Sequence, residues 1–277
     1  MALLTPTSVR ALLAEHGLRP SRQLGQNFLA DPNTARRIVR LAGVDAGDRV
    51  LEIGPGLGSL TLALRERGGD VLALEVDRRL ASVLEDVVAG DDGVRIVTGD
   101  ALTVDLDALL GAGPWRCVSN LPYNVATPVV IRLLEQVRPV HSALVMVQRE
   151  VADRLVAPPG SSAYGAVSVR VAYDAEAEIV GMVPRAVFVP VPKVDSALVA
   201  LDRRDAPPVD VPSRARLFEL VRAGFAHRRK MLRSTLRPAL GERTTEVLTE
   251  AGIDPRARAE SLGLEQWAAL ARVGTTP

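Results

Sequence analysis

One cysteine, two lysines and nine aromatic residues are all that this chain of 277 residues contains of those types, and the scarcity of cysteine is the most restrictive. Because Cys117 has no second thiol to pair with, the sequence excludes an internal disulfide and a metal site built from several thiolates. His16, His141 and His227 are too scattered to indicate a zinc site. We therefore expect no bound metal and a reducing compartment, the cytoplasm.

Long apolar segments are lacking as well. No stretch without a charged residue exceeds 15 residues, which is too short for a transmembrane helix. The first residues also lack the basic-then-apolar order of a secretory signal. With 47% hydrophobic and 24% charged residues, the composition predicts a globular protein with no membrane partner.

The net charge of +1 conceals an uneven distribution. Between Ser213 and Arg243, nine basic residues stand against two acidic ones, so the rest of the chain is acidic. A proline-rich stretch, residues 203–212, disfavours helix just before this window. We expect a domain boundary there, with a first domain over residues 1–204 and a second over 205–277. The basic window is either a phosphate-binding surface or a solvated helical face.

Short β-branched runs alternate with helical patterns before the proline-rich stretch. This alternation predicts an α/β fold with a mostly parallel sheet and helices on both faces. Helices are expected to begin at Pro32, capped by Asp31, and at Pro128, capped by Thr127. After the stretch, only helices are expected, over Ser213–Phe225, Arg228–Leu236 and Glu265–Arg272. The predicted strands are Arg49–Ile53, Asp70–Glu75, Val94–Val97, Trp115–Ser119, Ala143–Gln148 and Ser196–Leu201.

A glycine-rich turn, Gly54–Gly58, follows the first predicted strand and precedes a helix. Its G-P-G-L-G spacing differs from the G-x-G-x-x-G of dinucleotide-binding proteins, and the proline removes a backbone N–H that could hold a pyrophosphate. A ligand other than NAD is therefore expected, although a tight turn without a ligand has the same pattern. Glu75 and Asp100 end the next two strands and could hold a ribose and an adenine in the same crevice.

The tetrapeptide Asn120–Tyr123 (NLPY) follows the fourth predicted strand. An exocyclic amine of adenine is a poor nucleophile because its lone pair is conjugated into the ring. The amide oxygen of Asn120 and the carbonyl of Leu121 could accept its two protons, and Tyr123 could stack on the base. A turn with a core tyrosine is the alternative.

These segments together resemble the S-adenosylmethionine-dependent rRNA adenine N6,N6-dimethyltransferases, and most closely the bacterial small-subunit (16S) enzymes. Further segments of the same family follow in order along almost the whole chain, with Val191 as a small departure where a second proline is common. The segments are Leu24–Leu29, Glu52–Gly58, Glu75, Gly99–Ala101, Asn120–Tyr123, Phe188–Ser196, Phe225–Leu232 and Arg258–Leu262.

The resemblance implies a Rossmann-like methyltransferase domain, a small all-α domain and dimethylation of two adjacent adenines near the 3′ end of 16S rRNA. S-adenosylmethionine would be the methyl donor and S-adenosylhomocysteine the product. The implied catalytic residues are Asn120, Leu121, Tyr123 and Phe188, with Phe188 stacking on the target base opposite Tyr123. The implied cofactor-binding residues are Asn27, Leu29, Gly54, Gly56, Glu75, Asp100 and Asn120. The implied RNA-binding residues are Arg228, Arg229, Lys230 and Arg233, while Arg19 and Arg22 would add positive charge at the mouth of the site.

The implied partner is 16S rRNA within the small ribosomal subunit or its precursor, bound by a monomer with a role in subunit biogenesis. Two alternatives remain. One is a 23S rRNA dimethyltransferase of the macrolide-resistance type, which the basic segment and the Ala259–Leu262 tail disfavour. The other is a non-catalytic RNA-binding protein of the same fold, which the intact Asn120–Tyr123 and Glu75 disfavour.

Overall fold

The computed structural model describes residues 2–21 and 25–274, so Arg22 and Leu24 lie outside the described residues. The chain divides into two compact units. The first contains the described residues up to Ala152 and a return segment, Ala177–Arg203. The second contains Asp153–Glu176 and the described residues from Arg204 onward. The later division falls one residue from the expected boundary, whereas 153–176 were expected in the first domain.

Aromatic packing explains why residues 153–176 belong to the second unit. Tyr173 packs edge-to-face on Phe218, with ring centroids 5.3 Å apart. Asp174 forms a two-pronged ion pair with Arg214, with N–O distances of 2.6 and 2.8 Å. A charge pair of this geometry and an aromatic contact fix the segment against the helices that follow the proline-rich stretch.

Nine strands form two sheets within residues 2–21 and 25–274. Five strands of the larger sheet, from β4 to β6 in spatial order, run parallel, and β9 is antiparallel to β6. The spatial order of this sheet is β4-β3-β2-β5-β6-β9-β7, and β1 pairs separately with β8. The strands are β1 Phe28–Leu29, β2 Arg49–Ile53, β3 Asp70–Glu75, β4 Val94–Thr98, β5 Trp115–Asn120, β6 Val140–Gln148, β7 Ala175–Val183, β8 Phe188–Val189 and β9 Ser196–Arg203.

The strand order reverses at β2, which has β3 on one side and β5 on the other. Val50 pairs with both Val71 and Arg116 across these two ladders. In a parallel sheet, such a reversal leaves a crevice at the carboxyl ends of the strands, where ligands bind. The predicted site residues after β2, β3 and β5 therefore share one edge.

Thirteen α-helices are present among the described residues, and none of them is long and apolar enough to cross a bilayer. They are α1 Pro6–Glu15, α2 Pro32–Leu41, α3 Ser59–Glu66, α4 Arg78–Val87, α5 Leu106–Leu110, α6 Ala126–Gln136, α7 Arg149–Leu155, α8 Ala166–Asp174, α9 Arg214–Phe225, α10 Leu232–Thr235, α11 Arg237–Leu240, α12 Thr244–Glu250 and α13 Leu264–Val273. No strand follows the proline-rich stretch within the described part of the chain, as expected.

Of the two predicted helix starts, one is confirmed and the other is wrong. Asp31 accepts a hydrogen bond from the Thr34 amide at 2.6 Å, so the predicted cap of α2 is confirmed. The predicted start at Pro128, with Thr127 as its cap, is wrong because α6 begins at Ala126 without a side-chain cap. Amides of the whole first turn lack intrahelical partners, so a proline there does not by itself identify the first helical residue.

Of the predicted helix over 228–236, only Leu232–Thr235 is helical. Residues 226–230 form turns after α9, and helix resumes only in α10. Backbone pairing with another segment explains the break. Leu232 N–H donates to the Ala257 carbonyl at 2.8 Å, and Arg233 N–H donates to the Pro255 carbonyl at 3.2 Å. A continuous helix would have used these amides internally.

Candidate active site

Glycine is required where the turn after β2 passes beneath other loops. Gly54 and Gly56 have φ of +70° and +59°, in the left-handed region. A Cβ on Gly54 would lie 3.2 Å from the Pro122 ring, and one on Gly56 would lie 3.0 Å from the Phe28 ring. Two apolar side chains thus cover the turn closely, and its backbone forms one wall of a pocket.

The pocket lies at the carboxyl ends of β2, β3 and β5, where the sequence placed it. Its described lining includes no lysine or arginine, whereas Glu52 and Glu75 both contribute. Acidic groups in a largely buried wall favour a ligand that carries positive charge and no phosphate. Eight of the predicted site residues line the pocket: Asn27, Leu29, Gly54, Gly56, Glu75, Asn120, Leu121 and Tyr123.

Glu75 is held by three backbone amides at the end of β3. One oxygen accepts from Gly56 N–H at 3.1 Å, and the other accepts from Val76 and Asp77 at 3.0 Å each. Burial raises the pKa of Glu75, and the three amides oppose this rise. Since a carboxylate has about four acceptor positions, the oxygen bonded to Gly56 retains one for a ribose hydroxyl.

Asp100 does not line the pocket in this conformation. It is exposed in the turn after β4, where its carboxylate accepts from the Leu102 amide at 2.8 Å. The strand before it is placed as expected, because Thr98 pairs with Glu75 across the sheet. Contact between Asp100 and an adenine stays a prediction.

Asn120 and Tyr123 bring an amide and a phenol to the same pocket. The Asn120 amide nitrogen donates to the Asn27 carbonyl at 3.4 Å, which leaves the amide oxygen as an acceptor. The hydroxyls of Tyr123 and Ser196 share a hydrogen bond of 2.8 Å. Burial is the main cause of a raised pKa of Tyr123, so the phenol stays neutral at physiological pH. The arrangement can accept protons from an amine and can present an aromatic face beside it.

Phe188 is not brought to the pocket, and the expectation that it stacks on a base opposite Tyr123 is not met in this conformation. Only 1% of its surface is exposed, and it belongs to the apolar core of the first unit. The cause is the short antiparallel pairing of β8 with β1, which sets Phe188 opposite Leu29. Phe28, on the same pairing, lines the pocket instead.

Glu52 is a pocket residue that sequence reasoning missed. Its side chain is 1% exposed and accepts a hydrogen bond from the Thr61 hydroxyl at 2.6 Å. Burial, with a further contribution from nearby Glu75, raises its pKa to about 8. The signal was available, because an acidic residue in the middle of the apolar strand β2 needs a reason to be there.

The four predicted RNA-binding residues lie on the second unit and are all exposed. Arg228, Arg229 and Lys230 are on the turn after α9, and Arg233 is on α10. Arg228 is held by the Ser162 carbonyl and by Glu260 at 3.4 Å, so it also has a structural role. For Arg229, Lys230 and Arg233, the described residues provide no side-chain partner. Their charges are therefore available to a polyanion.

Arg256 and Arg258 extend this basic surface, and sequence reasoning missed them. Both are exposed and lie on the segment whose backbone pairs with residues 232 and 233. They fall outside the basic window of the sequence, so only the fold reveals that they adjoin it. We name Arg229, Lys230, Arg233, Arg256 and Arg258 the basic surface.

Known proteins share both the sequence pattern and the fold. A family model for ribosomal RNA adenine dimethylase matches residues 17–275. The chain belongs to this family. Ribosomal RNA small subunit methyltransferase A of Cutibacterium acnes is 49% identical, over 98% of this chain and 96% of the relative. The protein of the same name from Thermobifida fusca is 49% identical, over 97% and 95%.

Solved structures of similar proteins confirm the fold. The crystal structure of the 23S rRNA methyltransferase ErmE is 30% identical with a TM-score of 0.68, covering 89% of this chain and 99% of that one. A dimethyladenosine transferase from Plasmodium falciparum, 24% identical with a TM-score of 0.74, shows the fold alone over 88% and 95%. The first unit is a Rossmann-like methyltransferase fold, and this member of the dimethylase family is an S-adenosylmethionine-dependent rRNA methyltransferase.

Replacing Glu75 by alanine will weaken S-adenosylmethionine binding, because charge-assisted hydrogen bonds to the ribose are lost. Such bonds contribute roughly 1.5–3 kcal/mol, or about a 10- to 150-fold change in affinity. Calorimetric titration of the purified protein measures this directly. Glu75→Gln keeps one acceptor and should lose less, while Glu85→Ala, on the exposed side of α4, is the matched control. Unchanged affinity in a folded Glu75→Ala protein would refute the ribose assignment.

Proposed function

We propose that this protein dimethylates the N6 amines of two adjacent adenines near the 3′ end of 16S rRNA, acting on the small ribosomal subunit or its precursor. It would act as a monomer in the cytoplasm and contribute to subunit biogenesis. The 49% identity to two proteins named ribosomal RNA small subunit methyltransferase A supports the small subunit over the large one. The 23S enzyme ErmE is 30% identical over a similar coverage.

The observation that carries the proposal is the position of Asn120–Tyr123 on the same pocket as Glu75. The residues fit the cofactor, because the pocket combines a buried carboxylate, an apolar cover over the glycine turn and no basic residue among its described lining. S-adenosylmethionine, when bound, supplies an electrophilic methyl group. Asn120 Oδ1 and the Leu121 carbonyl then hold the two amine protons, which directs the nitrogen lone pair out of the ring plane. Tyr123 holds the base in place.

Transfer of labelled methyl groups into purified ribosomal subunits tests the proposal. Small subunits from cells that lack this protein should accept label at two adjacent adenines near the 3′ end of 16S rRNA, as mapped on the isolated RNA. Large subunits and naked 23S rRNA serve as the comparison. Label in 23S rRNA alone would support the macrolide-resistance alternative, and no label in either would support a non-catalytic RNA-binding protein.

The second unit docks the enzyme on rRNA in this proposal, while the first performs the transfer. The division of labour rests on the residues themselves: the pocket belongs to the first unit, and the basic surface belongs to the second. Arginine and lysine neutralise phosphates by releasing condensed counterions, so the affinity should fall steeply with salt.

Reversing two charges of the basic surface, in Arg229→Glu/Arg233→Glu, should weaken subunit binding strongly. Each lost phosphate contact should also reduce the slope of log affinity against log salt by about 0.7–0.9. Filter binding to small subunits over a range of salt concentrations measures both quantities. Arg228 is left intact because its contacts to Ser162 and Glu260 would confound the result.

Arg95→Glu/Arg138→Glu is the matched control, since both residues are exposed arginines of the first unit. It changes the net charge by the same amount and should retain the wild-type slope. Cofactor affinity should be unchanged in both variants. If the basic-surface variant kept the wild-type affinity and salt slope, the basic surface would not contact rRNA. Arg19, which is also exposed, would then be the next candidate for the contact.

A further inference from the structure

The loop between β8 and β9 presents two apolar side chains to solvent. Val191 is 60% exposed and Val194 is 44% exposed. Isolated exposed apolar residues are ordinary, but two of them within four positions on one loop form a patch. We name residues 190–194 the apolar tip.

Hydrogen bonds fix the base of the apolar tip. The Arg185 guanidinium donates to the Lys193 carbonyl at 3.1 Å, and the Arg185 amide donates to the Asp195 carboxylate at 2.9 Å. The Arg149 amide donates to the Asp195 carbonyl at 3.1 Å. Two prolines further restrict the backbone within the tip. A loop ordered in advance loses little conformational entropy on binding, so it is suited to recognition.

The apolar tip is connected directly to the pocket. Ser196, the first residue of β9, shares its hydrogen bond with the hydroxyl of Tyr123, which lines the pocket. Val194 precedes Ser196 by two residues, so their Cα atoms are at most about 7 Å apart. A macromolecule that presents a base to Tyr123 therefore meets the tip.

We propose that Val191 and Val194 insert into the rRNA beside the target adenine and fill the space that this base leaves in the stack. The inference rests on the proposed function of the pocket. An enzyme that modifies a ring substituent of a stacked base must bring that base out of the stack. Apolar side chains inserted at a base step offset part of the cost of unstacking.

The charge of the apolar tip favours RNA over a protein partner. Lys193 lies between the two valines, is exposed, and has no ion-pair partner among the described residues. The carboxylate of Asp195, directly after the tip, already accepts a hydrogen bond from the Arg185 amide. Apolar groups on either side of a free cation match bases flanked by phosphates.

Val191→Ser/Val194→Ser removes the apolar surface while keeping the side chains small. Methylation of small subunits should slow by about tenfold or more, because unstacking the base is no longer offset. Cofactor affinity should be unchanged. Val191→Ile/Val194→Ile keeps the apolar surface and should retain activity. If the serine variant lost activity only because any change of this loop disturbs folding, the isoleucine variant would lose activity too. The matched control is Leu41→Ser, at an exposed leucine that is 41% accessible on α2.

If the wild-type protein methylates subunits and the serine variant does so equally fast, the wedge is refuted while the proposed function stands. If the wild-type protein methylates no adenine, the proposed function itself fails. Photo-crosslinking distinguishes the partner: p-benzoylphenylalanine in place of Val191 should crosslink to 16S rRNA within a few nucleotides of the methylated adenines. Crosslinks to a ribosomal protein instead would overturn the assignment to RNA.

Discussion

Replacement of Asn120 by alanine will lower the rate of methyl transfer by about 100- to 1000-fold, the range seen when one preorganised polar contact to a transition state is removed. The amide oxygen of Asn120 is the side-chain acceptor that the Asn120–Tyr123 segment brings to the pocket. Without it, the lone pair of the adenine amine stays conjugated with the ring. Single-turnover transfer of labelled methyl groups to small subunits measures this step.

Asn120→Ala should affect cofactor affinity much less than the rate of methyl transfer. Asn120→Ala also removes the hydrogen bond to the Asn27 carbonyl, so cofactor affinity should fall, but by less than about tenfold. Asn120→Asp keeps an acceptor oxygen and should retain more activity than the alanine variant. Asn33→Ala, at an exposed asparagine of α2, is the control. Wild-type rates in Asn120→Ala would refute a role of this side chain in transfer.

Regular strands and their ends could be predicted from the sequence. The bounds of β2 and β3 agree with the expected ones residue for residue, because each is a short, mainly apolar run ended by a turn or a charge. Their parallel order then placed Gly54, Glu75 and Asn120 at one edge. The two-residue strands β1 and β8 could not be predicted, since a pairing of two residues is set by tertiary contacts alone.

Side-chain exposure was less predictable than position. Phe188 has the same local sequence whether it faces a base or the core, and only the β1–β8 pairing decides that it is buried. Arg256 and Arg258 are similar, because two backbone hydrogen bonds between distant segments place their segment beside residues 232 and 233. The sequence pattern therefore identified candidate residues for the site, whereas only the fold showed which of these residues lie close together.

Glu52→Gln will stabilise the cofactor-free protein, and the gain will grow as the pH rises. The carboxyl of Glu52 is buried beside Thr61, Glu75 and Cys117, and its pKa is raised from 4.5 to about 8. A group whose pKa is higher in the folded state contributes stability below its unfolded pKa and loses that contribution as the pH rises through the folded value. The free energy of unfolding of the wild type should therefore decline from about pH 4.5 to about pH 8.

Glutamine cannot ionise, so Glu52→Gln does not lose stability as the pH rises. Its side-chain carbonyl can still accept the hydrogen bond from the Thr61 hydroxyl. Between about pH 4.5 and about pH 8, the difference in the free energy of unfolding between Glu52→Gln and wild type should grow to on the order of 5 kcal/mol. Urea unfolding at several values between pH 5 and pH 9 provides the measurement. Glu85→Gln is the control, because Glu85 is exposed on α4 and its replacement should give the same small difference at every pH.

The ionisation of Glu52 should also depend on whether the positively charged cofactor is bound in the pocket. Glu52 and Glu75 repel each other when both are ionised, and that repulsion contributes to the raised pKa of Glu52. A sulfonium cation beside them favours the ionised carboxylates, so saturation with S-adenosylmethionine should flatten the pH dependence of the wild type more than that of Glu52→Gln. A difference in unfolding free energy between Glu52→Gln and wild type that stays constant with pH would show that Glu52 is already charged in the folded, cofactor-free protein.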